Sequence, residues 1–126
     1  MARILLVEDE EAVARSQCRL LEQAGYTIKT AASGHAAVQQ MESGIFDVIL
    51  CDIGLPDMDG LAVLDAVRRR DPDVPVVFIT GTPTLDTAIK AVAQHAFRYL
   101  VKPVPADDLL GLSLIHISEP TRQIRI

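Results

Sequence analysis

No stretch of about 18 consecutive apolar residues occurs in the 126 residues, and no basic-then-apolar leader opens the chain. The expectation is a protein that is neither membrane-spanning nor secreted, hence cytoplasmic. Cysteine is scarce: only Cys18 and Cys51, far apart and in no metal-ligand spacing, which reads as reduced, buried thiols. Basic excess is missing too. The formal net charge is −5, with 17 acidic against 12 basic residues, a poor balance for binding nucleic acid or an anionic membrane directly. Internal repeats and low-complexity linkers are also absent. What is present is ordinary for one globular domain with a real core: 49% apolar and 23% charged residues.

The apolar residues fall into short blocks. RILLV reads as a buried strand that delivers Glu8 and Asp9 at its end. From about Glu10 to Ala24, Val13, Leu20, Leu21 and Ala24 recur at helical spacing, and Gly25 stops the helix. YTIKTA alternates as a strand, and SGHAAVQQMESG reads as a helix capped by Ser33. FDVILC is an apolar strand ending at Asp52. A loop bearing Gly54 and Pro56 follows, then the helix LAVLDAVRRR with Leu61, Leu64 and Val67 on one face and Asp59 as its N-cap. PVVFIT ends at Thr80. Thr82 as cap with Pro83 as first helical residue predicts a helix that turns Leu85, Ala88, Ile89 and Val92 inward. FRYLV is the last strand and ends at Lys102.

Strand and helix alternate, which argues for α/β architecture with a parallel sheet covered by helices on both faces. Ligands in such folds bind beyond the carboxyl ends of the strands. Glu8, Asp9, Asp52, Thr80 and Lys102 all fall there, from four different strands. Clustered carboxylates repel unless a cation joins them, and an all-oxygen set suits Mg²⁺. A carboxylate beside such a cation and a lysine can attack phosphorus and form an aspartyl phosphate.

VEDE, ILCDIGLPDMDG, FITG and YLVKP, in that order, resemble the receiver domain of two-component response regulators over about residues 2–111. The resemblance implies a flavodoxin-like, doubly wound, five-stranded parallel sheet of order 2-1-3-4-5. It implies that Asp52 is the phosphoacceptor, with a histidine kinase, phosphotransfer protein or small phosphodonor as source. Asp9, assisted by Glu8, would hold Mg²⁺ together with Asp52 and the backbone carbonyl of Gly54. Thr80 would hydrogen-bond the phosphoryl group, Lys102 would pair with it, and Tyr99 would be the switch aromatic. The Lys102–Pro103 peptide would be cis. Such a domain is a signalling phosphoacceptor that at most phosphorylates and dephosphorylates itself, and it could dimerise through the face of helix 4, strand 5 and helix 5.

Two other readings stay open. One is a docking module that works without phosphorylation. The other takes DMDG as the motif of a haloacid-dehalogenase-like phosphatase, with Asp57 as nucleophile and Asp59 as acid; Pro56 and the distance from the preceding strand speak against it. His95 stands where the resembled family usually has glycine, so a positive φ there would strain the backbone. His35 is expected on the surface, and Arg68, Arg69 and Arg70 are expected to form a solvated face at a helix C-terminus. The end of the chain breaks the pattern. LSLIHISEPTR resembles a conceptually translated sequencing adapter, so 1–111 is expected to be the receiver and 112–126 a non-native tail. A truncated last helix, a weakly stable chain and a longer natural protein with an effector domain follow as expectations.

Overall fold

The computed structural model describes residues 2–102 and 106. Five strands alternate with four helices among these residues: β1 Arg3–Val7, α1 Glu11–Gln23, β2 Thr27–Ala31, α2 Gly34–Ser43, β3 Val48–Asp52, α3 Gly60–Arg70, β4 Val76–Thr80, α4 Leu85–Ala93 and β5 Arg98–Val101. The sheet order is β2-β1-β3-β4-β5, and every neighbouring pair is parallel. The last helix, the tail and the Lys102–Pro103 peptide lie outside the described residues.

The strands explain the two-sided core. In β1, β3 and β4 every side chain except that of Arg3 is buried. Because successive side chains point to opposite faces, each strand feeds two clusters. Leu5, Val7, Ile49, Cys51, Val76 and Phe78 pack with residues of α2, α3 and α4. Ile4, Leu6, Val48, Leu50, Val77 and Ile79 pack with Leu21 and the inner side of α1. The register then aligns the strand ends: Val7 lies beside Cys51, Asp52 beside Ile79, and Thr80 beside Val101. One edge of the sheet therefore collects whatever follows each strand.

Helix starts follow local chemistry. Ser33 accepts from the Ala36 amide and Asp59 from the Leu61 amide, as expected of N-caps. Gly25, at φ 100°, ends α1. In α4 the expected start is corrected. Thr84, not Thr82, is the N-cap, and Thr84 and Thr87 satisfy one another's backbone in a reciprocal capping box. Pro83 therefore precedes the cap, and the Thr82 amide bonds Thr80 Oγ1 at 3.1 Å.

The inward face of α4 is also corrected. Leu85 is 78% exposed, Ile89 58% and Val92 72%, whereas Ala91 is fully buried and Ala88 half-buried. Two apolar stripes run side by side on this helix, and periodicity alone does not choose between them. The small stripe turns inward, and a hydrogen bond of 2.7 Å between Thr87 Oγ1 and the Tyr99 hydroxyl holds that rotation.

Arg68 is not part of a solvated face. Its guanidinium donates to the carbonyls of Asp71 (3.3 Å), Val74 (2.6 Å) and His95 (2.9 Å), joining the end of α3 to the segments that enter β4 and β5. Arg69 and Arg70 do face solvent, paired with Asp65 and Glu42. His95 adopts φ 65°, the left-handed region that a side chain resists. His95→Gly is accordingly expected to stabilise the chain by about 1 kcal/mol, read as a higher urea midpoint.

Candidate functional site

Three of the strand ends supply the buried polar residues of the described chain: Glu8 after β1, Asp52 closing β3 and Thr80 closing β4. Asp9 follows Glu8 and is exposed at the rim. Glu8, Asp9 and Asp52 each bring one carboxylate oxygen to within 4.8 Å of the others. Lys102, just past β5, reaches between two of them. Its Nζ donates to Glu8 Oε1 at 2.8 Å and to Asp52 Oδ2 at 3.0 Å. The other Asp52 oxygen accepts from the Gly54 amide at 2.9 Å.

The electrostatics follow from burial. Desolvation holds the Glu8 carboxyl above its usual value even though Lys102 and the Glu10 amide pull the other way. For Lys102, burial works to lower the value, but the Glu8 and Asp52 carboxylates together outweigh it and hold the ammonium above its usual value. Cys51, buried under the site, donates to the Asp52 carbonyl at 3.3 Å, and burial pushes its thiol far above the ordinary range. It is a packing residue, not a nucleophile.

A group that binds its proton more tightly when folded stabilises the fold below its unfolded value and loses that contribution as pH rises through the folded value. Glu8 starts from 4.5 and is raised, so its contribution is lost as pH climbs above 4.5. The metal-free Glu8→Gln variant is expected to be more stable than the parent at neutral pH and to lose this part of the pH dependence. Urea midpoints from the acid limb up to neutral pH measure both.

Tyr99 is half-buried in the row next to Phe78, with its hydroxyl on Thr87. Asp57 and Asp59 are not in the carboxylate group. Asp59 caps α3, and both Asp57 oxygens accept from the start of α2, at Gly34 N (2.8 Å) and His35 N (2.9 Å). The phosphatase reading of Asp57 has no support, because that carboxylate is engaged as a structural acceptor. Nothing in the local sequence announces this role, nor that of Arg68 or Thr87, since each partner is brought in by the fold.

Three hard oxygen donors facing one another, two of them on buried acids, suit a small divalent cation. Fold and site together define an α/β domain with an acidic, lysine-bridged cluster at the carboxyl edge of its sheet. The model of the response regulator receiver domain matches residues 4–112, and the chain belongs to that family, whose members characteristically bind Mg²⁺ and are phosphorylated in two-component signalling.

The transcriptional regulatory protein ZraR of Salmonella typhimurium is 34% identical over 119 residues, covering 92% of this chain and 27% of the relative. The luminescence regulatory protein LuxO of Vibrio campbellii is 38% identical over 104 residues, 82% of this chain and 23% of the relative. The chain thus spans about a quarter of the length of these relatives. A CheY-like receiver domain protein from Methanospirillum hungatei superposes with a TM-score of 0.94 at 30% identity, over 98% of each chain. The beryllofluoride-activated NtrC4 receiver domain dimer gives 0.85 at 36% identity, over 93% of this chain and 96% of that one.

Proposed function

We propose that the chain is a signalling phosphoacceptor that takes a phosphoryl group onto Asp52. The observation that carries this reading is the seat of Asp52: a buried carboxylate with one oxygen on the Gly54 amide and the other on Lys102. An Asp52 oxygen attacks phosphorus, the bond from phosphorus to the donor's leaving group breaks, and an acyl phosphate forms. The donor is a phosphohistidine of a histidine kinase or phosphotransfer protein, or a small phosphodonor.

Asp9, Glu8, Asp52 and the Gly54 carbonyl would hold Mg²⁺, which neutralises phosphoryl charge when bound. Lys102 pairs with a phosphoryl oxygen as a point charge. The Thr80 hydroxyl, now engaged by the Thr82 amide, turns to the phosphoryl group, and Tyr99 follows as the switch aromatic. Chemistry of this kind needs positioning and charge more than covalent help. Any turnover is limited to self-phosphorylation and autodephosphorylation.

The exposed Leu85, Ile89, Val92 and Val101 support a homodimer through α4, β5 and the segment after it. An output domain belongs to a longer protein, in keeping with the length of ZraR and LuxO. We read 1–111 as the receiver and 112–126 as a non-native tail, because LSLIHISEPTR breaks the pattern of the sequence before it. No helix among the described residues is long and apolar enough to cross a membrane, and the net charge of −5 disfavours direct nucleic-acid binding. A cytoplasmic location fits both.

The test is incubation with Mg²⁺ and acetyl phosphate or a phosphoramidate, followed by intact mass and peptide mapping. A single phosphoryl adduct on Asp52 is expected, and none when the metal is chelated before the donor is added. A folded, Mg²⁺-binding protein that takes no adduct overturns the reading in favour of a docking module.

A further inference from the structure

The loop 53–59 leaves the phosphoacceptor strand and carries Gly54. Its near end is fixed by the bonds from Gly54 N to Asp52 Oδ1 (2.9 Å) and from Leu55 N to Ile53 O (3.0 Å). Its far end is fixed by Gly60 N to Ile53 O (2.9 Å) and by the Asp59 cap. The apex, Asp57 and Met58, lies against a different element, the N-terminus of α2.

Two contacts make that clasp. The Asp57 carboxylate divides its oxygens between consecutive amides, Gly34 N at 2.8 Å and His35 N at 2.9 Å. Ser33 takes the third amide, that of Ala36, at 3.1 Å. A helix start that would normally be served locally is therefore completed by a side chain 23 positions away. The second contact is steric. A Cβ on Gly34 would lie 2.1 Å from Met58 Cγ and 2.7 Å from its Sδ, so the bare glycine is what lets Met58 settle on the helix. His35 adds a third group, its Nε2 3.7 Å from Asp57 Oδ2 on the solvent side.

Pro56, with its fixed φ, joins the clasp to Leu55 and Gly54. With φ fixed at Pro56, fewer torsions are free to absorb a displaced apex before it reaches Gly54, whose amide bonds Asp52 Oδ1. We propose that Asp57 is a positioning residue for the phosphoacceptor site, its paired bonds to Gly34 and His35 setting the height of the Gly54 backbone beside Asp52. The inference rests on the reading of Asp52, Asp9 and Gly54 as the Mg²⁺ and phosphoryl site. It also explains the residue type. Two converging N–H donors need two acceptors, which a carboxylate has; an amide offers one acceptor and turns its own donors on the second N–H.

The experiment uses the full chain and three variants: Asp57→Ala, Asp57→Asn and Ser33→Ala. Amide exchange of Gly54, Gly34 and His35 is followed by NMR in metal-free protein, and Mg²⁺ alone is titrated by calorimetry. Asp57→Ala is expected to speed exchange at all three amides and to weaken Mg²⁺ binding about 10-fold, the scale on which groups orienting metal ligands act. Asp57→Asn is expected to fall between it and the parent in both readouts. Ser33→Ala removes a cap of the same helix without touching the loop, so it is expected to lower the melting temperature and leave Gly54 exchange and Mg²⁺ affinity unchanged.

If Asp57→Ala and Asp57→Asn only lower the melting temperature, as Ser33→Ala does, Asp57 is a helix cap and the inference is overturned while the phosphoacceptor reading stands. A parent chain that binds no Mg²⁺ overturns that reading, and this inference with it.

Discussion

Asp52→Asn is expected to abolish the phosphoryl adduct, to below about 1% of the parent level, and to raise the stability of the metal-free domain. Asparagine has nearly the same shape, and its carbonyl oxygen can still accept from the Gly54 amide, so the loop stays in place. What is lost is the nucleophile. A neutral amide does not attack phosphorus as a carboxylate does. The stability gain comes from charge. Glu8, Asp9 and Asp52 press three carboxylates together with Lys102 as the cation bridging two of them. Removing one negative charge relieves two repulsions and forfeits one attraction, while Lys102 keeps Glu8. A gain of about 1 kcal/mol is expected, the scale of unit charges a few ångströms apart in a partly solvated site. Urea unfolding without Mg²⁺ measures it. A loss of similar size would show that the Asp52–Lys102 pair outweighs the repulsion.

Gly60→Ala is expected to cost about 3 kcal/mol, at the upper end for overpacking, because the obstruction is backbone. A Cβ there would lie 2.7 Å from Ile53 Cα and 2.8 Å from the Asp52 carbonyl oxygen. Neither atom can swing aside as a side chain would. Relief has to come from moving α3 off the end of β3, which strains the bond from Gly60 N to Ile53 O and shifts the Asp52 backbone. Phosphoryl acceptance is expected to fall with stability. Two comparisons isolate the cause. In Gly54→Ala a Cβ would meet only Asp52 Oδ1, at 3.8 Å, an ordinary contact. In Gly25→Ala nothing lies within 4 Å but φ is 100°, so only backbone strain of about 1 kcal/mol applies. Thermal melts that rank Gly60→Ala no worse than Gly25→Ala would contradict the steric argument.

The sheet was legible because its inner strands are buried on both faces. RILLV, FDVILC and PVVFIT are runs that no surface helix or half-exposed strand would need, and each ends at a polar residue. That pattern locates both the strands and the edge where Glu8, Asp52 and Thr80 gather, and it separates Asp52 from Asp57 and Asp59. The rotation of α4 was not legible. Leu85, Ile89 and Val92 form as good a helical stripe as Ala88 and Ala91, and the choice depends on Thr87 meeting Tyr99 from another element. Thr82–Pro83 made an equally good local start for α4, and it lost to a capping box whose second half lies three residues further on. Arg68 read as one of three surface arginines because its partners are backbone carbonyls, which carry no sequence signal. Asp57 was visible only as one acid among three, since the amides it serves lie at the start of α2.

The three-carbonyl grip of Arg68 has a mechanical consequence. It ties the end of α3 to the approaches of β4 and β5 at the amino edge of the sheet, opposite Asp52. That edge is a keel: the two strands cannot slide against each other there without breaking the grip. On the phosphoacceptor reading, a disturbance entering at Asp52 meets this grip below it. It has to be spent among the loops of the carboxyl rim and the first turn of α4, where the hydroxyls of Thr84, Thr87 and Tyr99 form a short relay. The two edges of the sheet are thus held by different chemistry: a guanidinium on backbone carbonyls at one, an ammonium between carboxylates at the other.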